Sequence, residues 1–506
     1  MRKAWLGLAA LLVGGGSVQA QRFPPVGYPE PTPMPPSVAP NYGYPGSPPA
    51  PVSPPTTSRY PGWGNPNDGL AVPMSYQPYP YYPPQAPGPQ PSASPPPVAA
   101  ASVAPPFVQR PTPIALTDVV GSYIANKVAT ADTVAYHRPH DERFWFRGDF
   151  VMSRINAGPL STPLVTSGAI GNPHPGALNP ADPGTAILFG GNGLNYSMQP
   201  GFRIEGGYFF DSENRYSIDL GAMVLAQTNI NYAVNSTSNG DPILARPIFN
   251  TLTKDERSVL ASYPGAIAGS VSVESQSSFW SLELNGRRHA YLYENLHAEG
   301  LVGFRTLSLR EKLRIQDNLK ELNGGFLSYN GQALDPGDRL LDHDLFQTAN
   351  QFYGFQLGGA LTLEREWFTL GLISKLGLGM TDQQSTIEGS TSVVSPTLGN
   401  STSPGGILAQ VTNIGNRHNY VFGLVPEFGA NLGVNLHKNV RFTTGYTFLL
   451  WNSVLRPGDL IDRAINPGLP PGSPTYGVAG PPRPAYNPQD STMLLHTFNF
   501  GLEVHY

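Results

Sequence analysis

The chain ends in HTFNFGLEVHY, residues 496–506, and this stretch decides between two fold classes. Phe498, Phe500, Leu502 and Val504 take alternate positions, and polar residues or glycine lie between them. A period of two places these two sets on opposite faces of a β-strand. The stretch is therefore either the half-buried last strand of a soluble sheet or the closing strand of a membrane barrel, with apolar residues toward lipid and polar residues toward a lumen.

The same period recurs upstream and favours the barrel. Nine earlier segments alternate in this way: FWFRGDFVMSR (144–154), PGFRIEGGYFF (200–210), RYSIDLGAMVL (215–225), FWSLELNGR (279–287), LHAEGLVGFRTL (296–307), NQFYGFQLGGAL (350–361), WFTLGLISKLGLGM (367–380), YVFGLVPEFGANLGV (420–434) and VRFTTGYTFLLW (440–451). Each is about ten residues or longer, which is enough for a tilted strand to cross a bilayer. Charges fall almost entirely on one face of these segments, and large apolar residues fill the other.

The connections between these segments alternate in length. Four are tight: DSEN (211–214), YLYEN (291–295), ERE (364–366) and LHKN (436–439). Five are long and rich in Gly, Pro, Ser, Thr and Asn: 157–198, 228–276, 315–347, 382–416 and 455–490. Short turns at one end and long loops at the other are typical of outer-membrane barrels. We predict an all-β, closed antiparallel transmembrane β-barrel over residues 142–506, with about ten strands and twelve as the alternative.

The residues before the barrel divide into three parts. Residues 1–20 carry Arg2 and Lys3, an apolar run and a small-residue site ending at Ala20, the pattern of a cleavable signal peptide. Residues 21–114 are rich in Pro, Tyr and Ser and are predicted to form a disordered arm. Residues 115–141 begin with apolar positions at three- and four-residue spacing, which indicates a short amphipathic helix or a linker. We expect export to the outer membrane with the arm in the periplasm.

Composition excludes several functional classes. There is no cysteine, so thiolate metal sites, disulfides and cysteine catalysis are excluded. The formal net charge of −4 does not suggest nucleic acid as a partner. We expect no metal and no cofactor. We also expect no enzymatic activity, because the cluster of Asp342, His343 and Asp344 has no matching second pair, and no nucleotide-binding, zinc or nucleophile-elbow motif is present.

Several stretches resemble the putative beta-barrel porin-7 family of outer-membrane proteins. They are FRTLSLREKL (304–313), NQFYGFQLG (350–358), GGILAQVTNIG (405–415), LVPEFGANLG (424–433) and GYTFLLWNSVLRPGDLIDRAIN (445–466), and the last is the most specific. The resemblance covers residue 143 to the end of the chain. It implies an outer-membrane barrel with a pore role, and it brings no substrate and no catalytic residues.

The charged residues on the polar face of the strands are the candidate lumen residues. They are Arg147, Asp149, Arg203, Glu205, Asp219, Glu283, Arg287, Glu299, Arg305, Lys375, Glu427 and Glu503. In a barrel of ten strands they either pair across a filled interior or line a narrow pore with a weak cation preference.

A second candidate set follows the ninth strand, at the base of the last long loop. It contains Arg456, Asp459, Asp462 and Arg463. These residues either form a constriction in the mouth or pair locally and fasten the loop to the rim.

The sequence favours one function and leaves a second as the alternative. The first is a porin-like barrel that allows passive passage of small solutes through a narrow polar lumen. The second is a non-conducting surface, adhesive or structural protein that uses the barrel to anchor long loops. The expected partners are the outer-membrane bilayer, the barrel assembly machinery through the C-terminal strand, and cell wall or a periplasmic protein through the Pro-rich arm.

Overall fold

The computed structural model describes residues 143–180, 182–293 and 295–506. The predicted signal peptide, Pro-rich arm and short helix or linker lie outside this part of the chain. The described residues form nineteen strands and one 3-10 helix (Pro457–Leu460): β1 (Phe144–Ile155), β2 (Pro163–Ser167), β3 (Ala186–Gly190), β4 (Gln199–Phe209), β5 (Tyr216–Leu225), β6 (Thr228–Asn235), β7 (Leu244–Asn250), β8 (Asp255–Ser262), β9 (Ile267–Tyr293), β10 (Leu296–Glu321), β11 (Ser328–Tyr329), β12 (Gln332–Ala333), β13 (Arg339–Glu364), β14 (Phe368–Val394), β15 (Ser401–Pro404), β16 (Gly415–His437), β17 (Val440–Leu455), β18 (Ala464–Ile465) and β19 (Asp490–His505).

Ten of these strands pair antiparallel in a ring. Their order is β1, β4, β5, β9, β10, β13, β14, β16, β17 and β19, and β19 pairs back onto β1. In the closing pair Trp145 lies opposite His505, and Ile155 lies opposite Leu495. The predicted pairing of the last segment with the first is confirmed. β6 and β15 extend the same sheet beside β9 and β14, so the sheet has twelve strands and the ring has ten.

The two ends of the ring differ as predicted. At the end that holds both Phe144 and Tyr506, the connections are the four predicted tight turns. At the opposite end the strands continue farther than the sequence pattern indicated. β10 runs to Glu321 and β13 begins at Arg339, so the predicted loop 315–347 shrinks to 322–338.

A reversal of polarity explains this difference. In the half of the ring near the turns, outward side chains are apolar. In the extended half, Leu313 and Ile315 are fully buried on the inward face, and Lys312 and Gln316 point outward. The apolar residues there pack on the protein's own loops, and many of the outward residues are polar. A strand predicted from apolar residues on its outward face therefore ends before the strand in the structure does.

The exterior of the turn-side half carries a continuous apolar band. Phe355 is 76% exposed, and Val302, Phe202 and Leu372 are exposed around the ring. Exposed aromatic residues border the band on both edges. Trp280, Tyr353 and Tyr420 lie on the loop side, and Phe144, Tyr216, Trp367 and Tyr506 lie on the turn side. Among the described residues no helix is both long and apolar enough to cross a membrane.

The long loops form a head at the other end of the ring. β2, β3, β7, β8 and β18 make a second small sheet from three of these loops. A buried apolar cluster joins that sheet to the inward faces of the extended strands, with Leu164, Leu244, Ile315, Phe346 and Ile465 among its members. The head is therefore a packed extension of the ring interior.

Candidate functional site

The interior of the ring is layered, and the layer nearest the turns is charged. Four of its side chains come from four different strands and form one buried network. Arg305 Nη2 lies 2.8 Å from Glu283 Oε2 and 2.5 Å from Glu427 Oε2. Lys375 Nζ lies 2.7 Å from Glu283 Oε1 and 3.5 Å from Glu427 Oε1. Two cations and two anions thus compensate one another, which is the arrangement that makes buried charge tolerable.

A second group of ion pairs lies beside this network. Asp149 accepts from Arg147 Nε at 3.0 Å and from Arg203 Nη2 at 2.7 Å. Arg287 bridges Asp219, at 2.5 Å, and Glu299, at 3.0 Å. The Arg147–Asp149 pair lies within β1, and the other pairs link neighbouring strands.

All twelve predicted lumen residues lie on the inward face, and each takes part in an ion pair. They are Arg147, Asp149, Arg203, Glu205, Asp219, Glu283, Arg287, Glu299, Arg305, Lys375, Glu427 and Glu503. The structure brings them together as a paired lining.

The sequence reasoning missed a further set at the turn end. Arg441 lies 3.0 Å from Glu364 and 3.2 Å from Glu503. His297 and His505 pair with Glu364 and Glu503 in the same region. Arg441 directly precedes the outward Phe442 in β17. The alternation of faces along the strand could therefore have identified Arg441 as an inward residue. Glu364 was assigned to a turn, although it is the last residue of β13.

A chamber opens inside the charged layer at the turn end. Its volume is about 250 Å³, and Arg203, Glu299, Arg441 and Glu503 are among its lining residues. A smaller cavity of about 40 Å³ continues inward past the buried network and reaches Leu449 and Leu495. The polar space therefore ends against apolar side chains.

Those side chains form a layer across the middle of the ring. Phe352 and Trp451 pack edge to face, with ring centroids 6.2 Å apart, and both are 0% exposed. Trp451 Nε1 donates to Thr381 Oγ1 at 2.9 Å, so the buried indole has its polar group satisfied. Eight of the ten ring strands contribute members: Val151, Ile155, Leu225, Phe279, Leu307, Leu309, Phe352, Val425, Leu449, Trp451, Val454, Met493 and Leu495.

The predicted loop set lies on the head side of this apolar layer. Arg456 is buried and pairs with Glu311 of β10, at 2.6 Å. Asp459 accepts from Ser491 Oγ at 2.5 Å, Asp462 pairs with Arg483 at 2.8 Å, and Arg463 pairs with Glu256. The four residues do not pair with one another. They fasten the last long loop through partners from other parts of the chain, and only Asp462 has its partner within the same loop.

A buried acidic group lies in the head. Arg246 donates to Asp317 and Asp344, each at 2.9 Å, and Asp344 also accepts from the backbone N–H groups of residues 407–409. Burial, with the Asp317 carboxylate nearby, raises the pKa of Asp342 to about 7. Burial also raises the pKa of Asp317 and, in the loop, that of Asp459, the latter to about 6.

The Asp342, His343 and Asp344 cluster does not form one site. Asp342 and Asp344 are buried on the inward face, and His343 points the other way and is half-buried. Alternation along β13 separates the imidazole from both neighbouring carboxylates. Among the described residues there is no group of three or more His, Asp or Glu side chains that could hold a metal ion.

The family described as putative beta barrel porin-7 matches residues 145–506. The chain belongs to this family. The match begins at the second residue of β1 and ends at the last residue of the chain, so it includes all ten ring strands. Among curated proteins none matches the chain.

The solved structures that resemble the chain are distant from it. The outer membrane protease OmpT from Escherichia coli is 8% identical, with a TM-score of 0.32, over 74% of this chain and all of that one. The CymD monoaromatic hydrocarbon channel is 6% identical, with a TM-score of 0.17, over 76% and 92%. A Pseudomonas aeruginosa FadL homologue is 8% identical, with a TM-score of 0.17, over 74% and 93%. These likenesses are too low to carry a functional argument, and the family match and the strand pairing carry the assignment.

Proposed function

We propose that the protein is a closed outer-membrane barrel with a sealed interior, which anchors the loop-built head at the cell surface. In the turn-side half each of the ten ring strands pairs on both sides, as a bilayer requires. The exterior band of apolar residues with aromatic borders matches the surface of membrane barrels. Membership of a porin family supports the outer membrane as the location.

One observation carries the proposal of a sealed interior. The apolar layer that contains Phe352 and Trp451 crosses the ring between the charged layer and the head. Barrels of about eight strands have interiors that side chains can fill, whereas aqueous porins have about sixteen strands. A ring of ten strands is closer in size to the barrels that side chains fill than to the aqueous porins. Ions that crossed this layer would lose their hydration with no polar partner in exchange.

The head is the part that would act outside the cell. It combines a packed apolar core with exposed segments rich in Pro and Gly, such as residues 473–482. Loops held by a rigid scaffold are where binding functions concentrate. A structural or adhesive role of the head fits this arrangement. The absence of enzymatic activity remains a prediction.

Passive passage of small solutes is the second candidate. The charged chamber of about 250 Å³ favours it, because it gives small polar solutes an entry at the turn end. Passage would require the apolar layer to part. Swelling of vesicles that contain the protein, in solutions of small sugars, separates the two candidates: swelling supports passage, and no swelling supports the sealed barrel.

The orientation can be tested with single cysteines, because the natural chain has none. Ala479→Cys lies in the exposed last loop, and Glu366→Cys lies in the turn between β13 and β14. A membrane-impermeant maleimide applied to intact cells should label Ala479→Cys and spare Glu366→Cys until the outer membrane is opened. Labelling of Glu366→Cys in intact cells would contradict a head at the cell surface.

A further inference from the structure

A row of cations lies on the outside of the ring, just beyond the loop-side edge of the apolar band. Arg310, Lys312 and Arg314 occupy successive outward positions of β10. Arg310 is exposed, and the other two are partly exposed. We call these three residues the cationic row.

Protein partners leave most of this charge uncompensated. Arg310 and Lys312 make no side-chain hydrogen bond or ion pair within the described part of the chain. Arg314 reaches Glu274 of β9 at 3.4 Å, and both side chains are about one third exposed. Such an exposed pair contributes little to stability. Three adjacent like charges in this state repel one another and favour an anionic ligand.

The neighbouring strand β13 strengthens the positive field. Its outward positions beside the row are Leu345, Gln347 and Ala349, none of which is acidic. His343 is the next outward residue of β13. Its pKa is lowered by burial and further by Arg314, an effect that Asp344 and Glu388 oppose and Lys312 reinforces. The outer surface of β10 and β13 therefore carries an excess of basic residues, with Glu274 of β9 and Glu388 of β14 at its two sides.

Strand register fixes the height of the row relative to the band. Trp280 of β9 lies opposite Ser308 of β10, and Tyr353 of β13 lies opposite Thr306. Arg310 is the next outward position after Ser308, about 7 Å farther along the strand. Aromatic residues at a band edge mark the headgroup level of a bilayer. Arg310 thus lies at the level of headgroup phosphates, and Lys312 and Arg314 lie about 7 Å and about 14 Å farther out along the strand.

The surface below the row suits acyl chains. Phe304 and Phe355 lie opposite each other on β10 and β13 and pack edge to face, with centroids 6.1 Å apart. Both are exposed in the apolar band, as is Val302. Cations above an exposed aromatic and aliphatic surface match an amphipathic molecule with an anionic head.

We propose that the cationic row, together with the aromatic surface beneath it, binds a phosphate-bearing anionic lipid of the outer leaflet. The proposal rests on the membrane orientation argued above. It also predicts an asymmetric lipid contact. At the corresponding outward positions beyond the band, β14 carries Asp382 and Glu388, and these carboxylates would repel the same headgroup.

The test compares two triple variants of the full-length chain. R310Q/K312Q/R314Q removes the charge, and R310K/K312R/R314K keeps it while altering the same three positions. Each protein is reconstituted in phosphatidylcholine vesicles that contain a minor fraction of phosphatidylglycerol. After extraction in mild detergent, native mass spectrometry counts the retained lipids of each class.

The wild type and the charge-conserving variant should retain phosphatidylglycerol in excess of its share in the vesicles. The glutamine variant should lose this enrichment by about tenfold or more, because it removes all three cations that attract the anionic headgroup. Equal enrichment in the glutamine variant would overturn the proposal. In a second experiment, inorganic phosphate is added to the wild type at the same concentration as the phosphate of phosphatidylglycerol. Loss of the lipid enrichment on this addition would overturn the lipid as the ligand.

Flotation of the vesicles separates this inference from the proposed function. If no variant floats with lipid, the membrane barrel itself is wrong. If all three float and enrichment does not depend on the charges, the barrel stands and only the lipid site fails.

Discussion

Arg456 and Glu311 form a buried ion pair that ties the last long loop to the wall of the ring. Arg456 Nη2 lies 2.6 Å from Glu311 Oε1, Nε lies 2.8 Å from Oε2, and each side chain is 1% exposed. Arg456 also donates to the backbone carbonyl of Asn156, the residue that directly follows β1. The guanidinium thus joins three segments that are far apart in the chain.

Removing one partner of this pair should loosen the head. Glu311→Gln leaves the Arg456 charge buried without compensation, and breaking a buried pair in this way costs about 3–5 kcal/mol. We expect protease cleavage in residues 473–482 to become much faster and the unfolding midpoint in urea to fall. Arg483→Gln is the matched control, because the Arg483–Asp462 pair is half exposed on the arginine side and should contribute at most about 1 kcal/mol. Equal effects of the two variants would contradict this role for Glu311.

Asp342 should make the head less stable as pH rises. Its folded pKa of about 7 lies above the ordinary value of 3.8, so the folded state binds more protons than the unfolded state between these values. Stability attributable to this group is therefore fully present below about pH 4 and is lost as pH rises through 7. Asp342→Asn keeps an acceptor for Thr391 Oγ1 and removes the charge. We expect a higher urea midpoint than wild type at pH 8 and a much smaller difference at pH 4. A variant less stable than wild type at pH 8 would refute this assignment.

A charge placed in the apolar band should impair membrane insertion. Phe355→Asp puts a carboxylate at the most exposed position of the band, and a charge on the lipid face destabilises a membrane barrel most near the bilayer midplane. Leu341→Asp makes a similar change on the same face of the same strand, beyond the band. Folding into vesicles, read from gel mobility with and without boiling, should fall for Phe355→Asp and remain near wild type for Leu341→Asp. Similar yields for both would place the bilayer elsewhere on the ring.

Deletion of residues 498–506 should abolish assembly. β19 pairs with both β17 and β1, so its loss opens the ring and exposes two strand edges. Replacement of residues 473–481 by nine glycine and serine residues removes as many native residues and leaves the ring pairings intact. We expect heat-modifiable protein in the outer membrane only for the replacement. Normal assembly of the deletion would disprove closure through β19.

The sequence predicted the turn-side half of the ring well, because lipid outside and charge inside impose a strict period of two. Asp149 and Lys375 could be placed on the inward face from that period alone. The extended half was not predicted, because Leu313 and Ile315 face inward there and interrupt the pattern. The resulting assignment of residues 315–347 to one loop was wrong at both ends.

The interior packing could not be predicted for a different reason. Phe352 and Tyr353 are adjacent aromatic residues, and one faces the apolar layer while the other faces outward. Side-chain type does not distinguish them, and only the register of β13 does. Likewise, the sequence identified Arg456 as a loop charge, but its partner Glu311 lies 145 positions away.

The sealed interior is tested most directly by single-channel conductance in planar bilayers. The full-length protein should show no stepwise current at any salt concentration, because Phe352 and Trp451 fill the middle of the ring. Phe352→Ala/Trp451→Ala should show current steps, whereas Phe355→Ala/Trp367→Ala, which alters the same residue types on the outside, should stay silent. Regular current steps from the wild-type protein, with gel mobility showing a folded barrel, would contradict the sealed barrel and favour passive passage.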